Sequence, residues 1–154
     1  MSTSSMARSV PAAFAGGLVL MVMSLSSHAD RKRSGLDDLS KEMSTCSAYY
    51  SLLSAVVSNA QGPAAKTQVA GRIKETGQVM LHQAINVANY IGVGDDVVMQ
   101  RAQAAMDEMV TTINADPPNS LAVMHSKYGQ PCDELLQNAP KRFADLIAGK
   151  HEDF

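Results

Sequence analysis

The chain carries few side chains of the kinds that do chemistry, and its two cysteines are the most informative of them. Cys46 and Cys132 are far apart in the sequence, so they lack the short spacing and the electropositive setting that activate a thiol. They would be idle thiols in a reducing cytosol, whereas an oxidising compartment would pair them. We therefore predict a structural disulfide between Cys46 and Cys132 if the chain is exported.

The N-terminus predicts export. The stretch VPAAFAGGLVLMVMSL is continuously apolar or small, and the following SSHAD places Ser27 and Ala29 where signal peptidase prefers small residues. Residues 1–29 are therefore predicted to be a signal peptide that is cleaved after Ala29. The run is short for a membrane span, which needs about 20 residues. We expect a periplasmic or secreted product with no stable membrane insertion after cleavage.

A basic cluster of Arg31, Lys32 and Arg33 follows this junction and leaves alternatives open. It could hold an uncleaved apolar segment in a membrane, with the cluster on the inner side. It could also be a dibasic processing site if the source is a eukaryote. Our interpretation is that residues 30–34 form a flexible basic N-terminus of the mature protein.

The other polar residues do not assemble into an active site. The chain has no Glu-x-x-His pair of the kind that di-iron bundles use, and no phosphate loop, serine nucleophile elbow or zinc spacing. Asp95 and Asp96 are typical of acids that cap a helix start, and Asp107 and Glu108 point to different sides of a helix. His82 is expected to face water. The sequence therefore predicts no enzyme and no metal site.

A methionine and a histidine raise the hypothesis of haem binding. The segments DDLSKEMSTC and MHSKY resemble the methionine and histidine segments of the cytochrome b562 family of exported four-helix bundles. The resemblance implies that Met43 and His125 would be axial ligands. If Cys46 and Cys132 are level in the bundle, however, these two side chains lie roughly 15 Å apart along its axis, at 1.5 Å per residue. One haem cannot bind both, so we predict no cofactor.

The elements that position these residues are helices. From residue 36 to 57, apolar residues recur at alternating spacings of three and four, which predicts one buried row along a helix. Ser34 followed by Asp37 resembles a capping box, and Gly62 with Pro63 ends the pattern. The first helix is predicted over about 35–60. Its row consists of Leu36, Leu39, Met43, Cys46, Tyr50, Leu53 and Val57.

Two more helices follow from similar patterns. The second ends at Gly92 and Gly94, which can adopt the left-handed cap conformation. Inside it, Gly71 and Gly77 indicate either close helix contact or a break, because each costs about 1 kcal/mol relative to alanine. The third begins at Asp95 and stops before the prolines of DPPN. The inner rows are Val69, Ile73, Thr76, Met80, Ala84, Val87 and Ile91, then Val98, Ala102, Ala105, Met109 and Thr112.

The C-terminal part predicts a kinked or broken fourth helix, with one piece over about 120–129, Pro131 in a new first turn and Pro140 further along. Nothing after the signal segment alternates with period two, so we expect no sheet. Residues 35–149 are therefore predicted to be a single all-α domain, an up-and-down four-helix bundle with a broken C-terminal helix and one disulfide. Residues 150–154 are predicted to be a frayed tail.

The second and third helices each carry an additional apolar row, and these rows bear on function. Such wide faces fit central helices that are buried all round. They also fit a partner surface, which methionines suit because an unbranched thioether adapts to irregular contacts. Tyr49 falls off the main row of the first helix and could rim such a surface. The candidate partner surface consists of Tyr49, Leu81, Ile85, Met99, Met106 and Val110.

These features favour a non-enzymatic exported module that binds another protein of the envelope or outside the cell, as an inhibitor, an immunity-type factor or an accessory factor. The alternative is a carrier of a small apolar ligand or cofactor in the bundle. The net charge is −2 with both signs scattered along the chain, whereas a nucleic-acid partner would require a basic stripe. We therefore expect no nucleic-acid partner.

Overall fold

The computed structural model describes residues 16–60, 63–115, 117 and 119–150, with side chains described from residue 28 onward except for 60–67. No strand occurs in these ranges. Most of the predicted frayed tail and the first half of the predicted signal peptide lie outside them. The elements are α1 (Gly16–Ala60), α2 (Pro63–Tyr90), α3 (Asp95–Ala115), α4 (Ser120–Met124), a π-helical segment (His125–Gly129) and α5 (Gln130–Ile147).

The helices form the predicted all-α bundle, and its first two helices run in opposite directions. Ser40 of α1 donates a hydrogen bond to the carbonyl of Ala84 in α2 at 3.0 Å, and Ser54 donates to the carbonyl of Ala70 at 2.8 Å. The residue numbers rise along α1 as they fall along α2, so the two helices are antiparallel. The predicted buried row on α1 is confirmed at Leu36 and Leu39, both 0% exposed.

The N-terminal boundary of α1 differs from the prediction. The helix begins at Gly16 rather than near residue 35 and runs through residues 30–34, so Ser34 lies inside it and the predicted capping box does not form. Tertiary contacts account for the difference. Lys32 donates a hydrogen bond to the carbonyl of Ile147 at 3.0 Å, which satisfies a group at the end of α5. A Cβ added to Gly35 would lie only 2.7 Å from Cδ2 of Leu146, so glycine permits this close approach.

The central helix of the bundle is α1, not α2 and α3 as one interpretation of their wide apolar faces predicted. It contacts α2, α3, α5 and the π-helical segment. Its inward faces include serines as well as apolar residues, and Ser40 and Ser44 are both 0% exposed. Each of these two hydroxyls donates to a helix carbonyl, so its burial leaves no unmet donor. Serine is small, which lets α2 approach α1 closely.

Most predictions for α2 and α3 are confirmed. Gly92 has a φ of 76° and lies two residues after Tyr90, the last residue of α2, where a left-handed cap residue is typical. Gly77 marks close helix contact rather than a break, because a Cβ there would lie 3.1 Å from the carbonyl oxygen of Ser47. The inward position of Val69 is wrong, since it is 48% exposed and the neighbouring Ala70 occupies the inner face. Asp95 begins α3 as predicted.

The predicted interruption of the last helix takes the form of a π-helical turn. The amide of Gln130 donates to the carbonyl of His125, five residues earlier, which is the hydrogen bond of a π-helix. The next residue, Pro131, has no N–H to donate, so the regular α-helical pattern cannot be completed at this point. Pro140 lies inside α5 without ending it.

None of the described helices is long and apolar enough to cross a membrane.

Candidate functional site

The predicted disulfide is present. Cys46 of α1 and Cys132 of α5 are bonded, with their Cα atoms 5.3 Å apart, and the cysteine side chains are 4% and 1% exposed. The bond joins the first and last helices across 86 positions of the chain. Beside it, the hydroxyl of Tyr50 donates a hydrogen bond to Oδ1 of Asp133 at 2.8 Å. Both interactions join α1 to α5 at the same level of the bundle.

The flanks of α2 can be assigned from its neighbours. Gln83 and Val87 line a cleft together with Phe143 of α5, so this flank of α2 faces α5. Leu81 and Ile85 lie on the other flank, at 3.6 residues per turn, and therefore face α3. Both are partly buried and pack against the core.

The flanks of α3 are assigned in the same way. Glu108 accepts hydrogen bonds from Lys127 at 2.7 Å and from Tyr128 at 3.0 Å, so this flank of α3 faces the π-helical segment. Met99, Met106 and Val110 lie on the opposite flank, towards α2. Met106 is partly buried against the core, whereas Met99 and Val110 are 51% and 41% exposed.

The fold thus brings five of the six predicted surface residues onto one strip between two antiparallel helices, which we call the α2–α3 seam: Leu81, Ile85, Met99, Met106 and Val110. Polar side chains border it. Gln103 donates a hydrogen bond to Asp107 at 2.8 Å, Asn89 donates to Asp95 at 2.9 Å, and His82 is exposed as predicted. The seam is an apolar strip with hydrogen-bonding groups at its edges.

Tyr49 is not part of the seam. Its side chain is only 5% exposed, and its ring packs edge-on against that of Tyr50 at a centroid distance of 5.3 Å. It lines a cavity at the end of the bundle where α3 ends and α4 begins. Tyr49 lies off the main buried row of α1, as the periodicity of that helix predicted. The periodicity did not predict that the C-terminal helical segment covers Tyr49 and so buries it as well.

The acidic residues considered for chemistry occupy structural positions. Asp95 and Asp96 lie in the first turn of α3, where they complement the helix dipole. Hydrogen bonds from Lys127 and Tyr128 lower the pKa of the Glu108 carboxyl, which is the behaviour of an ion pair rather than of a general acid. Among the residues whose side chains are described, no group of three or more metal-ligating side chains occurs.

Met43 and His125, the two residues of the cytochrome resemblance, lie in different places. Met43 lines the cleft between α2 and α5, and His125 lines the cavity near the start of α4. The structure does not bring them together as a pair of axial ligands.

A cluster that the sequence analysis missed joins α1 to α3. Arg101 donates a hydrogen bond to Oδ1 of Asp37 at 2.8 Å, and Lys41 approaches Oδ2 at the same distance. Burial raises the pKa of Asp37, but the hydrogen bonds from the two cations outweigh it, so the pKa is lowered. The residues are 64 positions apart, and no local spacing signals their contact.

Comparisons with known protein families, with curated proteins and with solved structures give no match to this chain.

Proposed function

We propose that this chain is a small exported helical protein, periplasmic or secreted, that acts without catalysis by binding another protein through the α2–α3 seam. The observation that carries the proposal is the exposure of Met99 and Val110, at 51% and 41%, beside the partly buried Leu81, Ile85 and Met106. The partly buried side chains of this strip are held in place by packing against the core, and the exposed ones are accessible to a partner. Contiguous apolar surface with a polar border is typical of protein-binding sites.

The shape of the seam favours an amphipathic helix as the partner's contacting element. Two antiparallel helices leave a shallow groove between them, and helix-in-groove recognition places apolar residues from one face of the partner into such a groove. Methionine side chains adapt to irregular apolar contacts. The glutamine and asparagine at the border supply hydrogen bonds to the partner's polar edge without requiring a particular charge.

The disulfide supports the export part of the proposal. Disulfides persist in oxidising compartments and are rare in the cytosol. The bond between Cys46 and Cys132 is almost completely buried and joins the first helix to the last, as a structural staple does. With the apolar N-terminal segment, it favours an envelope or extracellular location. The partner would then be an envelope or secreted protein on which this chain acts as an inhibitor, an immunity-type factor or an accessory factor.

The test uses site-specific photocrosslinking in the compartment to which the protein is exported. A crosslinking amino acid is placed at position 99 in the seam, and at position 79 as the matched control. Val79 is an equally exposed apolar residue of α2, at 50%, but it lies one turn before Gln83, on the flank opposite to α3. We expect a protein adduct from position 99 that position 79 does not give.

Binding of the purified partner is then measured directly. Met99→Glu and Val110→Glu are each expected to weaken binding by roughly tenfold or more, because a charge placed in an apolar contact must lose its hydration. Val79→Glu should change it by less than about twofold. Identical adducts from both positions, or full affinity in both seam variants, would overturn the proposal.

A further inference from the structure

A second binding site lies at the end of the bundle, separate from the α2–α3 seam. A half-open cavity of about 290 Å³ lies between the C-terminal half of α1, the end of α3 and the start of α4. Its walls are apolar and include Leu53, Ile113, Leu121 and Met124. An apolar cavity of about 150 Å³ holds a benzene molecule, so this one has room for a two-ring molecule or a short chain.

Two side chains that carry polar groups stand at one end of the cavity, whose surface is otherwise apolar. Tyr49 and His125 line it, and both reach towards Gly129. A Cβ added to Gly129 would lie 2.8 Å from Oη of Tyr49 and 2.5 Å from Nδ1 of His125. The hydroxyl and the imidazole nitrogen therefore both lie against Gly129, which has no side chain to separate them, and they are close enough together for one ligand oxygen on the cavity side to contact both. His125 and Gly129 are the two ends of the π-helical segment, a feature often found at functional sites.

The charges around this end bear on which ligand it accepts. Asp133 is held by the hydroxyl of Tyr50, whose ring packs against that of Tyr49. Burial, and then the negative charge of Asp133, raise the pKa of Tyr49, so its phenol stays protonated and can donate a hydrogen bond. The nearby cation, Lys127, is already paired with Glu108 at 2.7 Å. A negative head group would meet Asp133 without a free positive charge beside it.

We propose that this cavity binds a small uncharged amphiphile, with its apolar body between α1, α3 and α4 and a single hydroxyl head hydrogen-bonded between Tyr49 and His125. The apolar walls supply affinity through burial, and the two polar groups orient the ligand and select its head group. The site is independent of the seam, so ligand and protein partner do not compete for the same residues.

The test compares three probes that share one ring system: 2-naphthol, naphthalene and 2-naphthoate. Their binding to the full protein is measured by equilibrium dialysis. We expect 2-naphthol to bind about three- to tenfold more tightly than naphthalene, which is the contribution of one net hydrogen bond. The 2-naphthoate anion is expected to bind more weakly than 2-naphthol. Equal affinity of 2-naphthol and naphthalene, or tighter binding of the anion, would contradict the proposal.

Two variants locate the probe. Tyr49→Phe should reduce the preference for 2-naphthol over naphthalene, because it removes one of the two hydrogen-bond partners, whereas Tyr90→Phe, at an exposed tyrosine, should preserve it. Leu121→Trp enlarges a side chain that is 57% exposed at the cavity wall, so the fold can accommodate it while the cavity is narrowed. It should weaken binding of both neutral probes about tenfold or more.

The outcome separates this site from the proposed partner surface. Met99→Glu, which is expected to weaken partner binding, should leave 2-naphthol binding unchanged. If Met99→Glu instead removes naphthol binding while Tyr49→Phe and Leu121→Trp do not, the probe sits in the seam and the cavity site is wrong.

Discussion

At the scale of single residues, the hydrogen bond between Tyr50 and Asp133 exists only in the folded chain. The residues are 83 positions apart, and their oxygen atoms are 2.8 Å apart next to the disulfide. Burial, followed by the hydrogen bond and charge of Asp133, raises the pKa of the Tyr50 phenol well above its ordinary range. The folded state therefore keeps a proton that the unfolded chain releases in alkali.

This difference predicts how stability depends on pH. The contribution of the Tyr50 phenol is fully present below about pH 10, the ordinary tyrosine pKa, and is lost as the pH rises further. Tyr50→Phe should lower the free energy of unfolding at neutral pH by about 0.5–1.5 kcal/mol. It should also flatten the fall in stability above pH 10. Urea unfolding at several pH values measures both effects.

Tyr90→Phe is the control for this prediction, because Tyr90 is 54% exposed. It should leave the alkaline slope as it is. A Tyr50→Phe curve parallel to that of the unmodified protein from pH 7 to 12 would show that the phenol does not release its proton differently in the two states.

At the scale of elements, the approach of α2 to α1 is decided by which residues are small. Gly77 faces α1, where an added Cβ would lie 3.1 Å from the carbonyl oxygen of Ser47 and 3.2 Å from Cβ of Tyr50. Gly71 lies in the same helix, yet nothing is within 4 Å of an added Cβ. The two glycines have the same helix propensity but opposite surroundings.

Alanine substitutions separate these two contributions. Gly71→Ala should stabilise the protein by about 0.5–1 kcal/mol, because alanine restricts the unfolded chain and favours helix. Gly77→Ala gains the same propensity but pushes α2 away from a rigid helix carbonyl, so we expect it to be at least about 1 kcal/mol less stable than Gly71→Ala. Thermal and urea unfolding of both variants provide the comparison. Equal stabilisation by both changes would mean that the helices separate without cost.

At the scale of the whole molecule, one covalent bond and one central helix hold the bundle together. The disulfide closes a loop of most of the domain, and such a bond limits the freedom of the unfolded chain. Helix α1 contributes to every side of the core, so a change along it reaches all the other helices.

Replacing both cysteines with serine should lower the free energy of unfolding by about 2–5 kcal/mol, the usual range for a native disulfide in a small exported domain. Chemical reduction of the unmodified protein should have a similar effect. The intact mass of protein recovered from the exporting compartment is expected to match a chain that begins at Asp30 with its two cysteines oxidised. Free thiols in that material, or an unchanged unfolding midpoint in the double variant, would contradict a stapling role.

The sequence by itself determined the helices and the pairing of Cys46 with Cys132. Helical periodicity is a local property, because residues three and four apart share a face whatever surrounds them. A glycine such as Gly92 ends a helix through its own left-handed backbone conformation, so this signal is also local. The disulfide could be predicted because the chain has only two cysteines and both lie on apolar rows.

Only the tertiary structure decided which helix is central and what covers each face. Neighbouring helices bury Ser40 and Ser54 of α1, and each hydroxyl donates a hydrogen bond to a carbonyl of α2. Residues 30–34 extend α1 because Lys32 contacts the end of α5. The cavity beside Tyr49 is assembled from α1, α3, α4 and a π-helical turn, whose members share no spacing along the chain. Burial and convergence of this kind depend on how helices pack against one another, which a local pattern of residue types does not encode.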